Sequence, residues 1–240
     1  MTRLLDVTGL RAGYATVPVL HGIDIHLDAG EAIGLFGPNG HGKTTLLHTI
    51  SGLLTPTEGT IRFDGQDIAG AKPSAIVAAG LVQAQQGNTL FGDMGVEETL
   101  ELAAFCPRAR DGWRARLDEV HALFPRLAER RRQRARTLSG GERQMLSIGC
   151  ALMCNPRLLI LDEPTLGLSP RLKGELREAI AAIAAKGVPL IVVEQDVEFL
   201  IALSDRLYLV EQGEVASEIN RDNAPDHKEI MDMYFGEQAH

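Results

Sequence analysis

Gly37-Pro38-Asn39-Gly40-His41-Gly42-Lys43-Thr44 follows the spacing G-x-x-x-x-G-K-[ST], with an apolar run (Glu31–Phe36) before it and a helix-forming run (Thr44–Ile50) after it. Glycines at these positions let a loop curl until several backbone N–H groups converge on one point, and the following helix adds the positive end of its dipole. Such a loop binds phosphate. Lys43 is placed to reach β- and γ-phosphates, and the Thr44 hydroxyl to ligate Mg²⁺. The expectation is a bound nucleoside triphosphate.

Leu159-Ile160-Leu161-Asp162-Glu163 supplies the other half of such chemistry: an apolar strand that delivers two carboxylates at its C-terminal end, where open α/β sheets bind ligands. Asp162 suits holding Mg²⁺ through water, and Glu163 suits polarising an attacking water as general base. Upstream of that strand, Ser139-Gly140-Gly141-Glu142 reads locally as a helix cap with an acidic residue in the first turn. A polar, N–H-rich helix start is also an anion site. Because the phosphate loop lies elsewhere in the chain, this second site suggests that another copy of the protein brings the phosphate.

The elements that must position these residues follow from periodicity. Leu4–Leu10 and Val19–Leu27 are strand-like and joined by a turn around Gly13–Pro18, and Ile61–Phe63 runs into an Asp64-Gly65 turn. Residues 89–136 are helix-forming without strand signal and are expected to form a helical subdomain between the two parts of a core lobe, 1–88 and 137–240. Leu158–Leu161 and Leu190–Val193 are continuous apolar runs of the buried parallel-strand kind, with an amphipathic crossover helix over Pro170–Ala185 between them. Leu207–Val210 and Glu214–Ser217 read as further strands. Strands alternating with helices predict a mainly parallel α/β sheet with right-handed crossovers, beside an N-terminal antiparallel β region.

Composition narrows the partners. The chain has 240 residues, net charge -8 and pI near 5.4, which argues against nucleic acid as a partner, since phosphate-tracking proteins need a basic face. The one basic stretch is Arg126–Arg136, expected to be a solvated helix face or else a face toward anionic lipid or a membrane subunit. Cys106, Cys150 and Cys154 form no CxxC pair and are expected to be reduced packing thiols. No run of 18 apolar residues appears, so any membrane work would need a partner that spans the bilayer.

Taken together, Gly37–Thr45, Ser139–Gln144 and Leu158–Pro164 resemble, in order and spacing, the P-loop, signature and Walker B segments of ABC-transporter ATPases, along essentially the whole chain. The resemblance implies the P-loop ABC ATPase fold, ATP and Mg²⁺ as cofactors, and two ATPase subunits (homodimer, or heterodimer with a paralogue) that sandwich two ATPs. Each ATP would sit on one P-loop, Gly37 to Thr45, and on the opposite subunit's Ser139, Gly140, Gly141 and Glu142. It also implies that Tyr14 stacks on adenine, that Gln86 links Mg²⁺ to the helical subdomain with Gln83 and Gln85 as alternative registers, and that Leu166–Pro170 crosses to the partner. The family's histidine after the Leu190–Val193 strand is missing. No His lies between His121 and His227, and Gln195 is the candidate for its role.

Within the family, Gly141–Met153, Val193–Gln195 and Ile230–Gly236 are similar to branched-chain amino-acid importer ATPases. His41, Cys150 and Val82–Asn88 depart from that family's usual wording. These likenesses imply a cytoplasmic subunit, peripheral on the inner face of the membrane, that powers import through transmembrane permease subunits. The alternative is a non-transport ABC ATPase of the repair, translation or cluster-assembly kind. The signature segment argues against a P-loop kinase or GTPase.

Overall fold

The computed structural model describes residues 3–84 and 91–220. Two compact units divide the chain, Met1–Gly70 with Ile191–His240, and Ala71–Leu190.

The first unit opens with a long hairpin, β1 (Arg3–Tyr14) and β2 (Val17–Asp28), paired antiparallel with Leu5 opposite Leu27 and Leu10 opposite Ile23. Leu5, Val7, Leu10, Ile23, Ile25 and Leu27 are buried, which is the alternation that fixes one face of the hairpin inward. The turn is tighter than the Gly13–Pro18 span suggests: only Ala15 and Thr16 separate the strands, and Ala15 takes the left-handed conformation. β3 (Ala32–Phe36) is buried at every residue, and α1 (Lys43–Ile50) follows the glycine-rich loop. β4 (Glu58–Phe63) and the short β5 (Gln66–Asp67) complete a four-stranded antiparallel sheet in the order β2-β1-β4-β5.

In the second unit, α2 (Pro73–Ala79) leads into β6 (Leu81–Ala84), neither of which the sequence reading separated from its surroundings. Helices then dominate: α3 (Val96–Ala103), α4 (Trp113–Leu123), the short α5 (Pro125–Glu129) and α6 (Gly140–Met153). β7 (Leu158–Asp162), buried throughout, runs parallel to β6 with Gln83 opposite Ile160. α7 (Pro170–Ala185) buries Leu176, Ala179, Ile180 and Ile183, the spacing expected of one helical face.

The chain returns to the first unit through β8 (Leu190–Val193), α8 (Val197–Leu203), β9 (Arg206–Glu211) and β10 (Glu214–Asn220). There the strands lie in the order β10-β9-β3-β8. β3 and β9 are parallel, Ile33 opposite Arg206, while β10 folds back antiparallel on β9. One buried cation ties this unit together. Arg206, 5% exposed, donates to Glu31, to Glu218 on β10 and to the His26 ring on β2, and lies over the Tyr208 ring. A guanidinium this dry is tolerable only because every face of it meets a carboxylate, an acceptor or a π cloud.

The arginine-rich stretch is not the helix face expected of it. Only Arg126 lies within α5, and the segment beyond it runs through turns in which the arginines pair with acids of the same unit. Arg130 meets Glu142, Arg131 meets Glu97, and Arg136 meets Asp93 at 3.1 Å. Opposite charges brought close by the fold pair Arg130, Arg131 and Arg136 within their own unit, while the Arg131 and Arg136 side chains stay more than half exposed. The three cysteines are free and half-buried, as the sequence suggested.

Candidate nucleotide-binding site

In the first unit, the loop between β3 and α1 is shaped by Gly37. Its φ is +140°, and a Cβ there would come within 2.1 Å of the Val210 carbonyl oxygen on β9, so no other residue fits. Gly42 is the N-cap of α1, and the first helical bond runs from the Leu46 N–H to its carbonyl at 2.8 Å. Lys43 is buried, and its ammonium donates to the carbonyls of Gly37 at 2.6 Å and Pro38 at 2.9 Å, which folds the cation back over the loop it follows. Thr45 is buried, whereas Thr44 is exposed beside it, as are Asn39 and Gly40. A cation, a curled loop and an open hydroxyl at one helix start make a phosphate cradle with a place for a metal ligand.

His41 has a reason that the sequence concealed. Its Nδ1 accepts from the Gln212 N–H at 3.2 Å, and its carbonyl accepts from the Gly213 N–H at 3.1 Å. The turn between β9 and β10 thus grips the loop through both side chain and main chain. A small residue at position 41 would lose half of that grip. Nδ1 accepts, so the ring's proton sits on Nε2. Gln212 and Gly213 were not singled out by the sequence, although Gln212 and Gly213 in left-handed conformation carry the turn signal.

Tyr14, 49% exposed at the end of β1, reaches α1: its hydroxyl lies 3.3 Å from His48 Nδ1. Gln195 follows β8 and is exposed. The helix after it is capped by Asp196, whose Oδ1 accepts from the Phe199 N–H at 3.2 Å. The cap of this helix is thus made by Asp196 and not by Gln195.

In the second unit, Asp162 ends β7 and is 7% exposed, while Glu163 stands one residue beyond the strand with φ +45°. A non-glycine residue held left-handed is strained by about 1–3 kcal/mol, and such strain collects at functional sites. Nothing in the sequence marks it. The turn continues with the Leu166 N–H bonding the Glu163 carbonyl at 3.1 Å, and Ser169 caps α7. Gln83 lies on β6, whereas Gln85 and Gln86, the other registers of that glutamine, fall outside the described residues.

The Ser139–Glu142 segment forms a complete capping box at the start of α6. The Glu142 N–H donates to Ser139 Oγ at 3.3 Å, and the Ser139 N–H donates to Glu142 Oε2 at 2.9 Å. Ser139 and Gly140 are exposed, while Gly141 and Glu142 are buried. Gly141 packs closely on α7: a Cβ there would lie 2.8 Å from Leu172 Cδ1, so a larger residue would require that side chain to shift. Burial pushes the Glu142 carboxyl up. The Ser139 hydrogen bonds, then Arg130 and Arg126, outweigh that and hold it below the usual carboxylate value. On α6, burial pushes the Cys150 thiol up to about 12, with Cys154 adding to the shift. Burial, and then Cys106, push Cys154 up to about 11 against the opposing Arg116. Neither thiol is a nucleophile at neutral pH.

Comparison with known proteins agrees with these motifs. Residues 20–166 match the family described as ABC transporter. Over 93% of its length the chain is 37% identical to the high-affinity branched-chain amino acid transport ATP-binding protein BraG of Pseudomonas aeruginosa, covering 95% of that protein. It is 32% identical to a probable branched-chain amino acid transport ATP-binding protein, LivF, of Archaeoglobus fulgidus, over 97% of this chain and 99% of that one. The solved structure of an ATP-binding subunit of an ABC transporter superposes with a TM-score of 0.82 at 28% identity, over 99% of this chain and 95% of the other. With the phosphate loop, the Asp162–Glu163 strand end and the capped Ser139 segment all in place, the chain belongs to the ABC transporter family, as one of its ATP-binding, ATP-hydrolysing cassettes.

Proposed function

We propose that this chain is the ATP-hydrolysing subunit that powers uptake of branched-chain amino acids, or a related small polar solute, through transmembrane permease subunits. The observation that carries the reading is the presence of two separate anion-directed helix starts in one chain. One is α1 with the buried Lys43, and the other is α6 with Ser139 and Gly140 exposed at its tip. A single nucleotide needs one phosphate loop, so the second helix start serves an ATP carried by a partner ATPase subunit, a second copy or a paralogue. Ser139 and Gly140 at the tip, backed by the buried Gly141 and Glu142, form that trans contact. The substrate class comes from the relatives, which are branched-chain amino acid transport ATP-binding proteins by name.

In the same reading Tyr14 faces adenine, Gly37 to Thr45 hold the phosphates, and Glu163 is the base that takes the proton of the attacking water. The Thr44 hydroxyl, Gln86 and the Asp162 carboxylate are hard oxygen donors of the kind Mg²⁺ takes, and Mg²⁺ supplies neutralisation of the phosphate charge. Gln195 donates its amide toward the γ-phosphate. The subunit works peripherally on the inner membrane face, beside permease subunits that span the bilayer; among its own described residues no helix is long and apolar enough to cross a membrane. Nucleic acid is not a partner of this acidic chain, net charge -8.

The test is affinity capture of the tagged chain from detergent-solubilised membranes, followed by uptake of labelled leucine in cells with and without the gene. Copurifying multispanning proteins and a loss of uptake on deletion are expected. Capture of repair, translation or cluster-assembly factors in their place would overturn the reading.

A further inference from the structure

The start of α6 carries a carboxylate where an incoming phosphate would be drawn. Glu142, whose side chain is 4% exposed, completes the capping box with one oxygen, Oε2, on the Ser139 N–H. A fixed negative charge in so dry a place repels a second anion with little help from water. Its other oxygen, Oε1, is met by Arg130 Nε at 2.8 Å. Arg130 comes from the turn after α5, steadied by Gln133 Oε1 at 3.3 Å from its Nη1, and is 40% exposed. Arg126, a weaker influence on Glu142 than Arg130, is turned to Glu175 on α7 at 3.3 Å, and Arg143 to the Leu138 carbonyl at 2.6 Å.

From this arrangement we infer that Arg130 is a positioning residue for ATP hydrolysis: by neutralising Glu142 it keeps the exposed Ser139–Gly140 helix tip attractive to the γ-phosphate of the partner subunit's ATP. The inference rests on the trans-contact reading above. It gives one of the arginines that the sequence left as a solvated face a part in the reaction, through Glu142 and not by touching nucleotide. The capping box alone fixes the backbone of the helix start. The guanidinium fixes its charge. Without Arg130 the same helix would offer a dipole of one sign and a carboxylate of the other, and the two would oppose each other within a single turn.

The test measures ATP-driven dimerisation by sedimentation equilibrium, with the affinity of the monomer for a fluorescent ATP analogue and the melting temperature measured alongside, all in a Glu163→Gln background so that hydrolysis does not erode the dimer. Arg130→Gln should weaken dimerisation tenfold or more and leave the monomer's nucleotide affinity within about twofold. Arg130→Lys should keep most of it, because the charge remains. Adding Glu142→Gln to Arg130→Gln should bring dimerisation back to the level of Glu142→Gln alone, since the amide oxygen still accepts the Ser139 N–H. The deficit of Arg130→Gln should also shrink as KCl is raised, which a loss of folding would not do. Ser139→Arg separates the two layers of the argument. If it abolishes dimerisation while Arg130→Gln dimerises as the parent does, the inference about Arg130 is wrong and the trans contact stands. If Ser139→Arg dimerises as the parent does, the trans contact falls and Arg130 falls with it. Monomer affinity or melting temperature falling in step with dimerisation in Arg130→Gln would make Arg130 a structural brace only.

Discussion

The Tyr14 hydroxyl stands 3.3 Å from His48 Nδ1, which ties the aromatic at the end of β1 to the helix that follows the phosphate loop. The ring is half exposed, so it keeps a free face while its hydroxyl is held. Base–aromatic stacking contributes about 1–3 kcal/mol per base and needs only the ring. Tyr14→Phe is therefore expected to keep ATP affinity within about twofold, and Tyr14→Ala to weaken it about tenfold, near 1.4 kcal/mol. A fluorescent ATP analogue titrated into each variant measures this. Equal affinity in all three proteins would leave Tyr14 an ordinary strand-end aromatic.

Glu163 holds a left-handed φ of +45° just past β7, a position that a β-strand end does not ask of a glutamate. Glu163→Gln keeps the shape and the backbone cost but cannot take a proton. ATP binding should persist, turnover should fall at least a hundredfold, in the range that general-base removal produces, and the protein should run as an ATP-held dimer on a sizing column. Wild-type turnover in this variant would remove Glu163 from the role of base.

Gln195 sits beside a helix cap that Asp196 already makes. If its amide serves the γ-phosphate, Gln195→Ala should cut turnover tenfold or more, about 1.4 kcal/mol in barrier terms. Glutamine does not titrate, so wild-type turnover should change little through this residue between about pH 6 and 8. Gln195→His, with a ring that titrates near about 6.5, should restore turnover and add a pH dependence across that range. An alanine variant as active as wild type in the assembled complex would end the assignment.

The buried thiols set a pH window of their own. Cys150 is held near 12 and Cys154 near 11, chiefly by burial, against 9.0 for the free group. The folded chain keeps these protons where the unfolded chain has lost them, so their contribution to stability is whole below pH 9 and declines as pH rises toward 11 and beyond. Urea unfolding at rising pH should therefore show wild type losing stability faster than Cys150→Ala between pH 9 and 11. Iodoacetamide at pH 8 should label the native protein far more slowly than the unfolded one. Rapid native labelling of Cys150 would contradict its burial.

The phosphate loop, the Asp162–Glu163 strand end and the Ser139 cap are legible in the sequence because each is a run of neighbouring residues whose types answer local needs. These are glycine for a φ of +140° at Gly37, apolar residues for the all-buried β3 and β7, and serine with glutamate three positions on for a capping box. Family likeness follows from the same runs. The structure adds what depends on residues far apart in the chain. The His41 ring is gripped by Gln212, 171 positions away, Arg206 is shared by Glu31, His26 and Glu218, and the arginines after α5 find Glu97, Asp93 and Glu142. The sequence shows these as an odd histidine, an unremarked arginine and a basic run, because charge and hydrogen-bonding capacity are properties of one residue while their satisfaction belongs to whichever partner the fold brings alongside. For the same reason, strain at Glu163 escapes any reading of composition or periodicity: a left-handed glutamate is imposed by the turn that closes around it, and only the tertiary structure decides that turn.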